Sequence, residues 1–246
     1  MPMPALYPRR GVLGGGTSLV AVKTITFFYD VISPYAHLAF EAWPQAMAGL
    51  GHRVRHVPVL FAGLLAHHGQ LGPAEIAPKR DWTYRQVAWL AHRAGVRLDM
   101  PSSHPFNPLA LLRLGAACSL HPGAQGGTSR FVTEALFHHV WHGGGDPNDP
   151  ARLATLQQRL ADHMAECGHT MPAPDSAEVK QQLRANTEAA IAAGVFGVPT
   201  FEVDGRLFWG QDALPMLRAY LDGDAWFGAG AWEAAAQVGR GVTRAR

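Results

Sequence analysis

The stretch TITFFYDVISPYAHLAFEAW, Thr24 to Trp43, decides the fold. Ile25, Phe27 and Tyr29 alternate with Phe28, so both faces of the first half are apolar. That pattern predicts a strand over 24–30 buried on both sides. Pro34 suits a first helical turn, where its missing N–H costs nothing. Tyr35, Leu38, Ala39, Ala42 and Ala46 then follow at helical spacing. The segment reads strand, tight turn, helix, with Ser33 at the helix N-cap. Free backbone N–H groups and the positive end of the helix dipole meet there and favour an anion, a thiolate included. Serine is also a preferred cap, and plain capping is the simpler reading of these residues alone.

Downstream, RVRHVPVLF (Arg53–Phe61) reads as a second strand. A strand, one helix and a second strand suggest a right-handed parallel unit. From Pro73 to Ala193 the pattern is helical, near Asp81–Ala94, Pro108–Leu120, Thr128–Trp141, Asp149–Glu166 and Ser176–Ala193. The breaks are MPSSHPFNP, HPGAQGGTS, GGGDPNDP and CGHTMPAPDS. Thr128, Asp149 and Ser176 are expected N-caps. Strand character returns in PTFEVDGRLFWGQD (Pro199–Asp212), two apolar runs around Asp204-Gly205, the pair favoured by a tight primed hairpin turn. Asp212 is expected to cap a last helix, Ala213–Leu221, with Pro215 in its first turn. The order is β-α-β, a helical block, then β-β-α. The two ends would share one four-stranded sheet.

Composition fits this plan. With 246 residues, 48% hydrophobic and 16% charged, the chain can bury one or two cores without staples. The formal net charge of +2 comes from dispersed residues. No Lys/Arg run marks a nucleic-acid partner. Cys118 and Cys167 are far apart and lie in helical segments. Two buried free thiols in a reducing cytoplasm is the expectation, with a disulfide left open. Residues 1–22 are expected to be a disordered extension, because the LVAV run is too short for a signal h-region. No segment reaches the roughly 18 apolar residues of a membrane span. A soluble, cytoplasmic protein is expected. The Gly- and Ala-rich tail, 223–246, is expected to pack loosely.

Two further stretches could carry chemistry. In GVFGVPTF, Gly194, Gly197 and Pro199 bracket the entry into the hairpin. A cis bond before Pro199 would leave the Val198 backbone free to pair with an extended ligand; otherwise this is a plain turn. In FWGQD, Gly210 permits close backbone approach, and Gln211 and Asp212 suit a ligand's ammonium and carboxylate. Simple capping by Asp212 is the plainer alternative. His138 and His142 stand four apart on a predicted helix, a possible metal pair, but no third ligand is evident and no metal is expected.

Together, FFYDVISPYAHLAF and GVFGVPTFEVDGRLFWGQD resemble the 2-hydroxychromene-2-carboxylate isomerase family, relatives of kappa-class glutathione transferases. The resemblance covers roughly 24–222. It implies an α/β, thioredoxin-like fold with an inserted all-helical domain: halves at 23–63 and 187–222, insertion at 64–186. It also implies glutathione as cofactor, a small aromatic substrate and a homodimer. Ser33 stands where redox relatives keep the attacking cysteine, and Ala36 takes the second cysteine's place. The protein itself therefore lacks a dithiol, and the sulfur would come from glutathione, polarised by Ser33 as the catalytic residue. The resemblance carries Val198, next to Pro199, to the cysteinyl part of glutathione. It carries Trp209, Gly210, Gln211 and Asp212 to the γ-glutamyl end. Gln70 falls where relatives have an asparagine contacting cofactor or substrate. His104, Phe106 and Asn107 fall where relatives line the substrate pocket. A lysine of relatives has no counterpart, since Leu64, Leu65 and Ala66 occupy its region. His67, His68, Lys79 or Arg80 are the candidates to replace it.

Three activities fit this reading. The first is reversible thiolate addition to a ring-opened aromatic intermediate, an isomerisation. The second is irreversible glutathione transfer or peroxidase chemistry of the kappa type. The third is a non-catalytic module that binds a peptide over Val198-Pro199.

Overall fold

The computed structural model describes residues 22–239 and 241. The expected N-terminal extension, apart from Val22, lies outside them. Strand β1 (Lys23–Tyr29) leads through a tight turn into helix α1 (Pro34–Ala46), and β2 (His52–Pro58) returns parallel to β1. Strands β3 (Thr200–Val203) and β4 (Arg206–Trp209) form the closing hairpin. Asp204 and Gly205 both have positive φ, 53° and 75°, as a primed turn requires. Because β3 pairs antiparallel with β1, the sheet order is β2-β1-β3-β4. The first and last parts of the chain thus share one sheet.

β1 is buried on both faces, as its alternation predicts. Ile25, Phe27 and Tyr29 join Phe40, Phe137, Phe201 and Phe208 in the larger core. Phe28 points the other way, into a smaller cluster with Val57, Leu64, Val195 and Val198. Burying each such side chain contributes about 1.5–3 kcal/mol.

The helical block contains α3 (Ala77–Ala94), α4 (Leu109–Cys118), α5 (Arg130–Trp141), α6 (Pro150–Glu166) and α7 (Ala177–Ala192), where five helical patterns were expected. Ahead of this block, one helix was not expected. The second strand stops at Pro58, and α2 (Phe61–His68) begins inside the stretch read as strand. A short apolar run has no period long enough to separate the two. The expected division points, 63/64 and 186/187, fall within α2 and α7.

Asp149 and Ser176 cap their helices, accepting from the N–H of Arg152 at 2.8 Å and of Val179 at 3.3 Å. Thr128 does not cap α5. Ser129 does, accepting from the Val132 N–H at 3.2 Å. Thr128 instead donates its N–H to the His56 carbonyl at 2.7 Å, extending the sheet edge. Asp212 likewise fails to cap the last long helix, α8 (Leu214–Leu221). A 3-10 turn, Gln211–Ala213, intervenes, and no side chain caps α8.

The two cysteines are free, but only Cys118 is buried. Burial pushes its thiol up to about 12, while Cys167 is exposed, contrary to expectation. The tail is anchored near its start and exposed over 233–239, while residues 240 and 242–246 lie outside the described residues. Phe227 is buried, and Trp232 on α9 (Ala231–Ala235) lies 5.4 Å from the Phe208 ring. Among the described residues no helix is long and apolar enough to cross a membrane.

Candidate functional site

The end of β1, the start of α1 and the entry into β3 meet at one point. β3 pairs with β1 so that Phe28 faces Thr200. The residues just before Thr200 must therefore lie beside the turn that follows β1. Ser33 and Val198, 165 positions apart, are in contact there: the Ser33 hydroxyl donates to the Val198 carbonyl at 3.3 Å. The same Oγ accepts from the Ala36 N–H at 3.2 Å, so Ser33 does cap α1. Ser33 is 7% exposed and Val198 8%. The Val198–Pro199 peptide is cis. The Val198 N–H donates to no acceptor among the described residues. A carbonyl, an uncommitted N–H and a hydroxyl thus stand side by side, the carbonyl and hydroxyl bonded to each other.

The 209–212 stretch completes this edge. Gly210 donates its N–H to the Pro199 carbonyl at 2.9 Å. Its φ of 100° and ψ of 158° are open only to glycine, and a Cβ there would lie 2.3 Å from Asp212 Oδ1. Gln211 and Asp212 lie in the 3-10 turn that packs on α1. The Tyr35 hydroxyl, raised first by burial, is raised further by the Asp212 charge. Trp209 is 54% exposed, its ring 4.9 Å from that of Phe196. A Cβ on Gly197 would meet Trp209 Nε1 at 2.6 Å, so this indole seats only against glycine.

Gln70 stands apart. It follows the left-handed Gly69 at the end of α2, is exposed, and donates its N–H to the Leu65 carbonyl at 2.9 Å. No hydrogen bond joins it to the other site residues. His68 ties α2 to the site instead, its Nε2 3.2 Å from the Val195 carbonyl.

On the other side of the Ser33 turn lies His104. Its Nε2 donates to the Ile32 carbonyl at 2.8 Å, which leaves Nδ1 an acceptor; the one Tyr84 hydroxyl proton lies between that nitrogen and the His104 carbonyl, each 2.8 Å away. Burial lowers the His104 pKa, and the bond to Ile32 partly offsets this. Phe106 lies against the His104 ring at 6.1 Å. Asn107 turns away: its Oδ1 accepts from the Leu109 N–H at 3.1 Å, holding the start of α4. Leu64 and Leu65 face the core and offer no place for a cation. Arg80, one helical turn before Tyr84, is exposed and lowers the Tyr84 pKa against the dominant effect of burial.

The main omission of the sequence reading is Asp30. It is 0% exposed, yet both carboxylate oxygens are used: Oδ1 accepts from the Ile32 N–H at 3.0 Å and Oδ2 from the Phe61 N–H at 2.9 Å. Burial pushes its carboxyl up to about 7 against the pull of those two bonds. An aspartate closing an apolar strand is an available turn signal, since its side chain can bond the backbone two residues on. Nothing in the sequence marks Tyr84.

The His138 and His142 rings stack at 4.0 Å, and His138 Nε2 lies 2.9 Å from Glu41 Oε1. Among the described residues no three His, Cys, Asp or Glu side chains are grouped to hold a metal.

The DSBA-like thioredoxin domain profile matches residues 24–222. A 2-hydroxychromene-2-carboxylate isomerase of Sphingobium xenophagum is 30% identical over 208 residues, covering 81% of this chain and 98% of the relative. Glutathione S-transferase kappa 1 of Rattus norvegicus is 26% identical over 217 residues, covering 85% and 94%. A solved 2-hydroxychromene-2-carboxylate isomerase superposes with a TM-score of 0.66 at 20% identity, covering 88% of this chain and all of that one. The last likeness speaks for the fold alone. The chain belongs to the DSBA-like thioredoxin domain family, among the 2-hydroxychromene-2-carboxylate isomerases and their kappa-class glutathione transferase relatives.

Proposed function

We propose that this protein is a glutathione-dependent isomerase of a ring-opened aromatic carboxylate of the hydroxychromene type. The observation that carries the reading is the pairing of the Ser33 hydroxyl with the Val198 backbone at a helix N-terminus that has no cysteine. Glutathione, when bound, supplies the thiolate that adds reversibly to a conjugated carbonyl compound. Every other role falls to the chain. Val198, beside Pro199, offers its N–H and C=O to the cysteinyl part. Trp209, Gly210, Gln211 and Asp212 receive the γ-glutamyl end, with the Asp212 carboxylate facing its ammonium. Ser33 gives up its bond to Val198 and turns its proton toward the sulfur, aided by the positive end of α1. Lowering a thiol pKa by two units takes about 2.7 kcal/mol, within reach of one hydroxyl and a helix end.

His104, Phe106 and Tyr84 form the wall on the substrate side, where the helical block excludes water from an aromatic ring. Arg80 takes the role of the missing lysine and meets the substrate carboxylate. Gln70, exposed at the end of α2, contacts the cofactor or the substrate, and the protein works as a soluble homodimer in the cytoplasm.

A second reading is favoured by the kappa transferase relative, which shares nearly the same extent of the chain. There the same site transfers glutathione irreversibly to an electrophile. Titration calorimetry with glutathione, followed by paired assays on a hydroxychromene carboxylate and a chloro-aromatic acceptor, tests both. Heat of binding with isomerisation supports the first reading, and stable conjugate the second. Absence of binding at millimolar glutathione rejects both and leaves a peptide-binding module.

A further inference from the structure

We propose that Asp30 is a positioning residue for the Ser33 site, its carboxylate fixing the turn that carries Ser33 to Val198; the catalytic consequence rests on the glutathione reading above. The turn spans Asp30 to Ser33. Its closing bond runs from the Ser33 N–H to the Asp30 carbonyl at 3.1 Å. The Asp30 side chain then takes the Ile32 N–H with one oxygen and the Phe61 N–H with the other. One residue thus ties the turn to itself and to the first residue of α2. Ile32 is held from both sides, its N–H by Asp30 and its carbonyl by His104. It has no freedom to shift, and Ser33 follows it directly.

The arrangement needs both oxygens of a carboxyl group. Two separate N–H donors point at two separate oxygens. Asparagine offers one oxygen and would set its NH2 against the remaining N–H. Alanine would orphan both donors inside the protein. A fully buried acid is costly, so its presence here asks for a reason beyond filling space. The Ser33 hydroxyl meets Val198 at 3.3 Å, a contact easily lost if the turn relaxes. Misplacing a reacting group by about 1 Å can cost on the order of a hundredfold in rate.

The test compares the wild-type protein with D30N. Hydrogen exchange reads the amides of Ile32, Ser33 and Phe61. Calorimetry reads glutathione affinity, and a pH titration of the bound thiolate and turnover read the site. In D30N, exchange at Ile32 and Phe61 should quicken by about tenfold or more. Turnover should fall by about ten- to a hundredfold, and the bound thiol pKa should rise, while glutathione affinity changes by less than about threefold. A merely structural role would leave the thiol pKa and the turnover of the folded fraction at wild-type values, and that result overturns the proposal. If D30N does not fold, the wild-type exchange decides: Ile32 and Phe61 amides as protected as those of β1 support the clamp, and unprotected ones refute it. If the wild type binds no glutathione, the proposed function fails, and the exchange readout still decides what Asp30 does.

Discussion

The Ser33 hydroxyl spends its one proton on the Val198 carbonyl, 3.3 Å away, while its oxygen accepts from the Ala36 N–H. In this resting state Ser33 has no proton for a second acceptor. A ligand that pairs with the Val198 backbone would take over that carbonyl and release the hydroxyl. Binding and activation are then linked through one bond. Ser33→Ala should lower turnover by about a hundredfold, the cost of one transition-state donor. It should also cost about 1 kcal/mol of stability, because it removes the α1 cap. Steady-state kinetics beside a denaturant titration separates the two effects.

Gly210 lies where no side chain fits, its φ at 100° and its Cβ position 2.3 Å from Asp212 Oδ1. Gly210→Ala should destabilise the protein by about 1–3 kcal/mol and displace Asp212. Glutathione affinity should drop with little change in turnover at saturation. Calorimetry against kcat shows whether the two separate in that way.

Arg80 tests the substrate side. Arg80→Met keeps the length and apolar stem of the side chain and removes its charge. KM for an aromatic carboxylate should rise by about tenfold, the loss of one charge-assisted contact, with glutathione affinity unchanged. An unaltered KM would leave Arg80 without a part in binding.

Asp30 also makes a prediction about pH. Its carboxyl titrates at about 7 in the folded state, against about 3.9 unfolded. Between those values the folded state binds more protons, so this group's contribution to stability falls as pH rises through the window. His37 and His56 act with the opposite sign. Burial lowers each to about 4, so their contribution is full above about 6.5 and is lost as pH falls. The net curve therefore mixes both. The difference between wild type and D30N isolates the carboxyl. From about pH 4 to about pH 8 that difference should swing toward D30N by up to about 4 kcal/mol. A pH-independent difference in denaturant unfolding would contradict the buried titration.

Much of this architecture was legible because β1 and its turn are locally unambiguous. A two-faced apolar strand, a Ser-Pro helix start and an Asp-Gly hairpin each follow from short-range sterics. Ser33 and Val198 could be named because turn and cap chemistry is local, whereas the cap expected of Asp212 is not made. Their meeting follows from the antiparallel pairing of β1 with β3, which no local pattern specifies. Helix α2 was missed because the short apolar run Phe61–Ala66, adjoining a strand, carries no distinguishing period. Asp30 and Tyr84 were missed for a different reason. Their roles lie in bonds to Phe61 and His104, far along the chain, and only the folded backbone brings those partners near. Asn107 shows the converse: a site residue by position, its side chain is committed to the start of α4.

The most direct measurement is a pH titration of the thiolate absorbance of glutathione bound to wild type and to Ser33→Ala. The account predicts a bound thiol titrating about two units below free glutathione in the wild type, and close to the free value in the variant. Identical titrations in the two proteins, or a wild-type value no lower than that of free glutathione, would contradict it.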